Sequence, residues 1–434
     1  MTREISLPTL WASRRWRIAV LLGIGVIVNF FDRVNLSVAI TPLQNEYGLS
    51  TIAVGYLLSA YSWTYILLQL PSGPMLDRFG VKPVIRLSAF LWSLASFATG
   101  LARGFMGMFS ARLLLGVAEA PTFPGNAKAI SVWFPRSERG LATAIFDSSA
   151  KFASAIGVPI VAVVVHYWGW RASFVFTGLL SLGYLALFWV VYREPEHDAL
   201  LLAAEREHIS TGGHEDTLAE PRQSASLWYL LRREKVWGLA LGMAAYNYNF
   251  YLFLTWLPGY LNTLHLDLLQ SGLFTAIPWL AATVSDLIVG GWLVDHLIRT
   301  GRDSTRVRQS ILIGGLVMAL AVAGATRTSN PRVAIFWISI ALCGLAASAP
   351  VGWSIPGLIA PPGSTARVAG IMNFVANLPG VLAPVVTGYL VGSSQSFRRP
   401  FLVAAAVLVA GIFSYIFLLG KIEMIPGPSE SSAR

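Results

Sequence analysis

Twelve long apolar runs, separated by short polar segments, constrain the fold of this chain more than any other feature. A transmembrane helix needs about 20 predominantly apolar residues to cross a hydrocarbon core of about 30 Å. The 434 residues are 55% hydrophobic and only 12% charged, whereas about a quarter of the residues in soluble domains are charged. This composition excludes a water-soluble fold and predicts an all-α polytopic membrane protein with twelve transmembrane helices.

A polar segment divides the apolar runs into two groups of six. Residues 193–235 contain 15 charged side chains, Gly212-Gly213 and no long apolar run, which is typical of a solvated linker. We therefore predict a tail at 1–17, a six-helix bundle at 18–192, a linker at 193–235, a second six-helix bundle at 236–420 and a tail at 421–434.

The distribution of Lys and Arg predicts the orientation. Cytoplasmic loops of membrane proteins carry an excess of these residues. If both termini are cytoplasmic, that side receives 23 of the 32 Lys and Arg residues. We therefore expect a multi-pass protein of the plasma membrane, the inner membrane in a bacterium, with cytoplasmic termini and a cytoplasmic linker.

The loop after the second apolar run carries the motif Gly73-xxx-Asp77-Arg78-x-Gly80-x-Lys82. With two groups of six helices, it resembles the signature loop of the major facilitator superfamily, which implies the major facilitator fold for the whole chain. An Asp at a helix end beside basic residues can hold neighbouring helices together in one state and release them in another. We predict a gating or structural role for Gly73, Asp77, Arg78 and Gly80, with topology-setting loop charges as the alternative.

Four further fragments are similar to one branch of that superfamily, the anion:cation symporter family. They are Asn29-Phe-Phe-Asp32-Arg33-Val-Asn35-Leu-Ser37, Arg112-x6-Glu119-Ala-Pro-xx-Pro124, Trp133-Phe-Pro-xx-Glu138-Arg139 and Thr255-Trp256-Leu-Pro258-x-Tyr260-Leu. The family includes bacterial carriers of galactonate, glucarate, hexuronates and phthalate. The resemblance implies proton-coupled symport of an organic anion by alternating access.

Charged residues within apolar runs are costly and usually mark a transport path. They are Asp32, Arg33, Arg112, Glu119, Asp147, Lys151 and Asp286. A guanidinium matches a carboxylate bidentately, so we predict that Arg33 and Arg112 bind the anionic substrate. The resemblance places both in a central cavity and implies proton coupling for Asp32 and Glu119. Mutual structural neutralisation of these charges is the alternative interpretation.

Lys151 departs from family members that carry a neutral amide there. As a third cation it favours a substrate with two acidic groups, but Asp147, at i,i+4 spacing, could simply neutralise it. Asp286 receives no role from the sequence. Tyr65, Gln69, Tyr248 and Asn373 are predicted to bind hydroxyl groups of the substrate. Phe30 stands where Tyr is common in the family, which makes an aromatic dicarboxylate a plausible alternative to a sugar acid.

These observations predict a secondary active transporter, proton-coupled, for an aldonate, aldarate or hexuronate. The alternatives are a phthalate-like carrier, a sodium-coupled carrier of organic anions or phosphate, and a membrane sensor. The chain lacks nucleotide-binding, metalloprotease and nucleophile-elbow motifs, so we predict no enzyme activity, no cofactor and no metal. Its basic residues form no stripe, which disfavours nucleic acid as a partner. We expect the bilayer, protons and a small anion as partners of a functional monomer.

Overall fold

The computed structural model describes residues 13–135, 138–211, 225–394 and 396–427. Across these ranges the chain is helical and contains no strand. Nine helices in the described part are long and apolar enough to cross a membrane. One of them, Arg139–Val191, consists of two helices joined at Gly169. Two further segments complete a set of twelve: 105–133, which is divided into two shorter helices, and Glu234–Thr263.

We number the twelve segments in chain order. They are α1 (Arg14–Val38), α2 (Thr51–Phe79), α3 (Val81–Leu101), α4 (Phe105–Glu119 and Thr122–Trp133), α5 (139–168), α6 (170–191), α7 (Glu234–Thr263), α8 (Leu268–Arg299), α9 (Ser304–Arg327), α10 (Pro331–Ile359), α11 (Thr365–Ser394) and α12 (Arg398–Leu419). This arrangement matches the predicted fold class. We call α1–α6 the first half and α7–α12 the second half.

Local sequence explains the irregular points. Gly169 adopts φ 81° and ψ 166° between α5 and α6, a conformation that glycine tolerates because it has no Cβ. In α4 the break falls at Ala120 and Pro121, where proline cannot donate a helical hydrogen bond. In α8 the residues Asp286–Leu293 form a π-helical segment.

The segment predicted as a solvated linker is partly packed. It contains the short helices Pro195–His197, Ala203–Thr211 and Leu227–Leu231. Asp198 and Glu205 are buried because they pair with Arg14 and Arg15 at the start of α1. Gly212-Gly213 lies outside the described residues.

The two halves contact each other through three helix pairs, α2 with α11, α5 with α8 and α1 with α7. We call the side where α1 begins and α12 ends the terminal side. Close approaches between the halves lie toward the opposite side, where Gly55 meets Pro384, Gly388 meets Thr51 and Gly272 meets Ala162. Asn262 also donates a hydrogen bond to Thr41 there.

Candidate functional site

An ion pair between α1 and α4 lies at the centre of the first half. Arg33 Nε donates to Glu119 Oε2 over 3.0 Å, and the two side chains are 7% and 0% exposed. Arg112 shares α4 with Glu119 but contacts a different group. Breaking a buried pair by removing one partner costs about 3–5 kcal/mol, because the other charge is left uncompensated. Arg33 and Glu119 therefore depend on each other for the neutralisation of their buried charges.

Three aromatic rings surround the guanidinium of Arg33. Its Cζ atom lies 4.6 Å from the ring centroids of Phe30 and Tyr61 and 5.1 Å from that of Tyr65. A cation is attracted to the face of such rings, so the rings hold the guanidinium in place. Phe30 serves here as a ring face and not as a hydrogen-bond donor.

Asp32 has partners distinct from those of its neighbour Arg33. Its two carboxylate oxygens accept hydrogen bonds from the hydroxyls of Ser96 in α3 and Ser181 in α6. Arg112 Nη1 donates to the backbone carbonyl of Asp32 over 2.9 Å. The carboxylate of Asp32 is thus satisfied by hydroxyls and not by a guanidinium. Ser96 and Ser181 were not predicted as site residues, since serine is common in transmembrane helices.

Several polar atoms in the cluster formed by Arg33, Arg112 and Glu119 lack hydrogen-bond partners within the described part of the chain. Arg33 Nη2, Arg112 Nε and Glu119 Oε1 are buried and have no hydrogen-bond partner among the described residues. Buried polar groups are normally hydrogen-bonded. Two guanidinium donors without acceptors make this cluster suited to binding an anion.

A second charged cluster joins the halves. Lys151 Nζ in α5 donates to Asp147 Oδ2 over 2.9 Å and to Asp286 Oδ2 in α8 over 3.0 Å. Lys151 and Asp286 are buried, while the side chain of Asp147 is 32% exposed. The structure therefore gives Asp286, which the sequence left without a role, a partner in the other half.

A chain of hydrogen bonds also connects the halves through uncharged residues. Gln69 Nε2 donates to Tyr65 and Asn373 Nδ2 donates to Gln69, both over 3.1 Å. Asn377 Nδ2 then donates to Asn373 Oδ1, and Tyr251 donates to Asn377. Three predicted residues thus come together. Asn377 and Tyr251 extend the chain, and the i,i+4 spacing from Asn373 is the signal that identifies Asn377.

Tyr248 lies apart from this chain of hydrogen bonds. It is buried, and its hydroxyl has no hydrogen-bond partner in the part of the chain that the structure describes.

The loop motif forms a contact within the first half. Lys128 Nζ in α4 donates to Asp77 Oδ1 over 2.6 Å and to the carbonyl of Leu76 over 2.9 Å. Gly80 adopts φ 82° between α2 and α3, which favours glycine. The guanidinium of Arg78 lies over the ring of Phe79. A Cβ at Gly73 would contact nothing within 4 Å, so packing does not require glycine there.

Comparisons with known proteins agree with this architecture. The family model "Major Facilitator Superfamily" matches residues 22–384. An uncharacterized transporter of Bacillus subtilis, YybO, is 41% identical, with 95% of each chain covered. A probable L-galactonate transporter of Escherichia coli is 33% identical, covering 92% of this chain and 88% of that one. A probable galactarate/D-glucarate transporter of Bacillus subtilis is 32% identical, covering 95% and 93%.

A solved structure shares the fold. It is a bacterial homologue of the human lysosomal transporter Spinster, with a TM-score of 0.75 at 18% identity, covering 94% of this chain and 97% of that one. The prediction of the superfamily and the prediction of no enzyme activity are confirmed. The chain is a multi-pass membrane transporter that belongs to the Major Facilitator Superfamily.

Proposed function

We propose that the protein is a proton-coupled symporter of an organic anion, most simply a sugar acid. One observation carries this proposal: the buried Arg33–Glu119 pair, beside which Arg33 and Arg112 retain donors that have no acceptor among the described residues. Such donors can bind a carboxylate, and Glu119 can hold the proton that travels with it.

The proposed coupling follows from charge balance. A carboxylate that accepts a proton releases the guanidinium with which it was paired. When Glu119 is protonated, Arg33 is free to bind the substrate carboxylate, and no bare charge remains as the halves close around it. Asp32, held by two hydroxyls, is proposed as a further proton-coupling acid. Deprotonation of Glu119 on the other side of the membrane then returns Arg33 to Glu119 and expels the anion.

The neighbouring residues support a polyhydroxylated acid. Tyr65, Gln69 and Asn373 offer donors and acceptors between the halves, and we propose that they bind substrate hydroxyls together with Tyr248. Relatives over nearly the whole chain are named for galactarate, D-glucarate and L-galactonate. The ring faces of Phe30, Tyr61 and Tyr65 around Arg33 favour an aromatic dicarboxylate as the second candidate.

We propose that transport proceeds by alternating access, with a monomer as the functional unit. The halves meet toward the side opposite the termini, as expected for a state that opens on the terminal side. We assign the terminal side to the cytoplasm because of its excess of Lys and Arg. We further propose that the two bundles are residues 18–192 and 236–420, that the linker is 193–235, and that the tails are 1–17 and 421–434. The Asp77–Lys128 contact, with Gly73, Arg78 and Gly80, is proposed to form part of the gate.

The test is uptake into proteoliposomes under an inward proton gradient without sodium, with galactonate, glucarate, glucuronate and phthalate. We expect one or more sugar acids to accumulate, and a protonophore to abolish the accumulation. Phthalate uptake alone would favour the second candidate. Accumulation that requires sodium would overturn proton coupling, and binding without flux would indicate a sensor.

A further inference from the structure

The Lys151 cluster differs from the Arg33–Glu119 pair in one respect: it contains one cation and two acids. Lys151 and Asp147 belong to α5, whereas Asp286 belongs to α8. The Lys151–Asp286 ion pair joins a transmembrane helix of the first half to one of the second half. An anion that binds Lys151 would therefore change the charge balance of the Asp286 carboxylate.

Asp286 depends on Lys151 for its charge balance. One oxygen of the Asp286 carboxylate contacts Lys151, and the other, Oδ1, has no hydrogen-bond partner among the described residues. The residue is 4% exposed, so bulk water solvates its charge poorly. If Lys151 turned toward another anion, Asp286 would become a bare buried charge, which is strongly unfavourable unless the carboxylate is neutralised.

Among the described residues, the groups that act on Asp286 include no cation other than Lys151. From α5, Lys151 and Asp147 face it, and from α7 the phenol of Tyr246 lies close to all three. From α10, the carbonyl of Cys343 accepts a hydrogen bond from Ser285 beside Asp286. A proton is therefore the simplest way to neutralise Asp286 when Lys151 is engaged elsewhere.

Resting on the proposed function, we propose that Asp286 binds one additional proton when the substrate carries a second acidic group, and that Lys151 binds that group. The proton passes to a carboxylate oxygen of Asp286, the Lys151–Asp286 ion pair opens, and the Lys151 ammonium pairs with the second carboxylate. A monocarboxylate engages only the donors of Arg33 and Arg112 and leaves the Lys151–Asp286 pair closed. The second substrate carboxylate is thus accompanied by one additional proton, and the net charge of the Lys151 cluster with its bound carboxylate is unchanged.

Galactarate and galactonate test this proposal because they differ only in a second carboxylate in place of a terminal alcohol. Protons and substrate entering proteoliposomes are counted together, with a luminal pH dye and radiolabelled acid. We expect one more proton per molecule for galactarate than for galactonate in the unmodified protein. Asp286→Asn should abolish this difference and leave the galactonate ratio unchanged, whereas Asp286→Glu, which keeps a titratable carboxyl, should retain it.

Asp147→Asn is the matched control, since it also removes a carboxylate from Lys151 but does not connect the halves; we expect it to retain the difference. Equal proton counts for the two acids in the unmodified protein would overturn the proposal, as would a difference that survives in Asp286→Asn or that disappears in Asp147→Asn. Transport of galactonate without galactarate would overturn it as well. Failure of every acid in the panel would instead overturn the proposed function.

Discussion

The contact between α2 and α11 yields a quantitative prediction about alternating access. A Cβ at Gly388 would lie 2.7 Å from the carbonyl oxygen of Thr51, whereas ordinary contacts begin at 3.4 Å. Gly388→Ala therefore forces the two helices apart by about 0.7 Å where the halves meet. Overpacking of this kind costs about 1–3 kcal/mol. The state closed on the opposite side should lose population by a factor of about 5 to 160 relative to states in which this contact is open.

Spin-label distances test this prediction. Ser50 and Ser393 are exposed at the opposite side, next to this contact, and each is replaced by cysteine in a Cys343→Ser background. We expect a longer distance population in Gly388→Ala. Gly370→Ala is the matched control in the same segment, because a Cβ at Gly370 meets nothing within 4 Å. An unchanged distance distribution in Gly388→Ala would refute this account of the closed state.

Two further predictions concern charged residues. Arg33→Lys keeps the charge but loses the planar guanidinium and its spare Nη2 donor. A charged hydrogen bond contributes about 1.5–3 kcal/mol, so initial uptake rates should show KM raised by about tenfold or more. Although burial opposes ionisation, hydrogen bonds from Arg15 and His208 lower the pKa of the Glu138 carboxyl. This carboxylate stabilises the fold at neutral pH and loses that effect as the pH falls through its lowered pKa. The deficit in Tm of Glu138→Gln should therefore be largest near pH 7 and shrink below about pH 4.

A specific result would contradict each of these two predictions. An unchanged KM in Arg33→Lys would mean that the substrate does not use the guanidinium. A Tm deficit of Glu138→Gln that is constant with pH would contradict the proposed contribution of the Glu138 carboxylate. Glu196→Gln, at an exposed position in the same part of the molecule, serves as the control for Glu138→Gln.

The sequence predicts the helices well because hydrophobic length is a local property. It also identifies which residues carry charge in the membrane, since an isolated charge within an apolar run is visible without a structure. The sequence does not show which of these charged residues pair with each other. Spacing shows that Arg112 and Glu119 share a face of α4, but Glu119 pairs with Arg33 from α1. That choice depends on how two helices pack, which the spacing within one helix cannot reveal.

Asp286 illustrates the same limit. It is distant in sequence from Lys151, and only the packing of α8 against α5 brings the carboxylate within 3.0 Å of the ammonium. The packing of part of the linker likewise depends on contacts between residues that are distant in the sequence. Asp198 and Glu205 look like solvated charges in the sequence, yet Arg14 and Arg15 at the start of α1 bury them.

The most direct test of the central claim compares two modes of transport in Glu119→Gln. Glutamine mimics the protonated acid, so Arg33 remains free to bind the anion, but the side chain at position 119 can no longer release a proton. Proteoliposomes containing this variant should exchange internal for external substrate as the unmodified protein does, but should accumulate much less of it under an inward proton gradient. Accumulation by Glu119→Gln to the level of the unmodified protein would contradict the claim that the Arg33–Glu119 pair couples proton and anion movement.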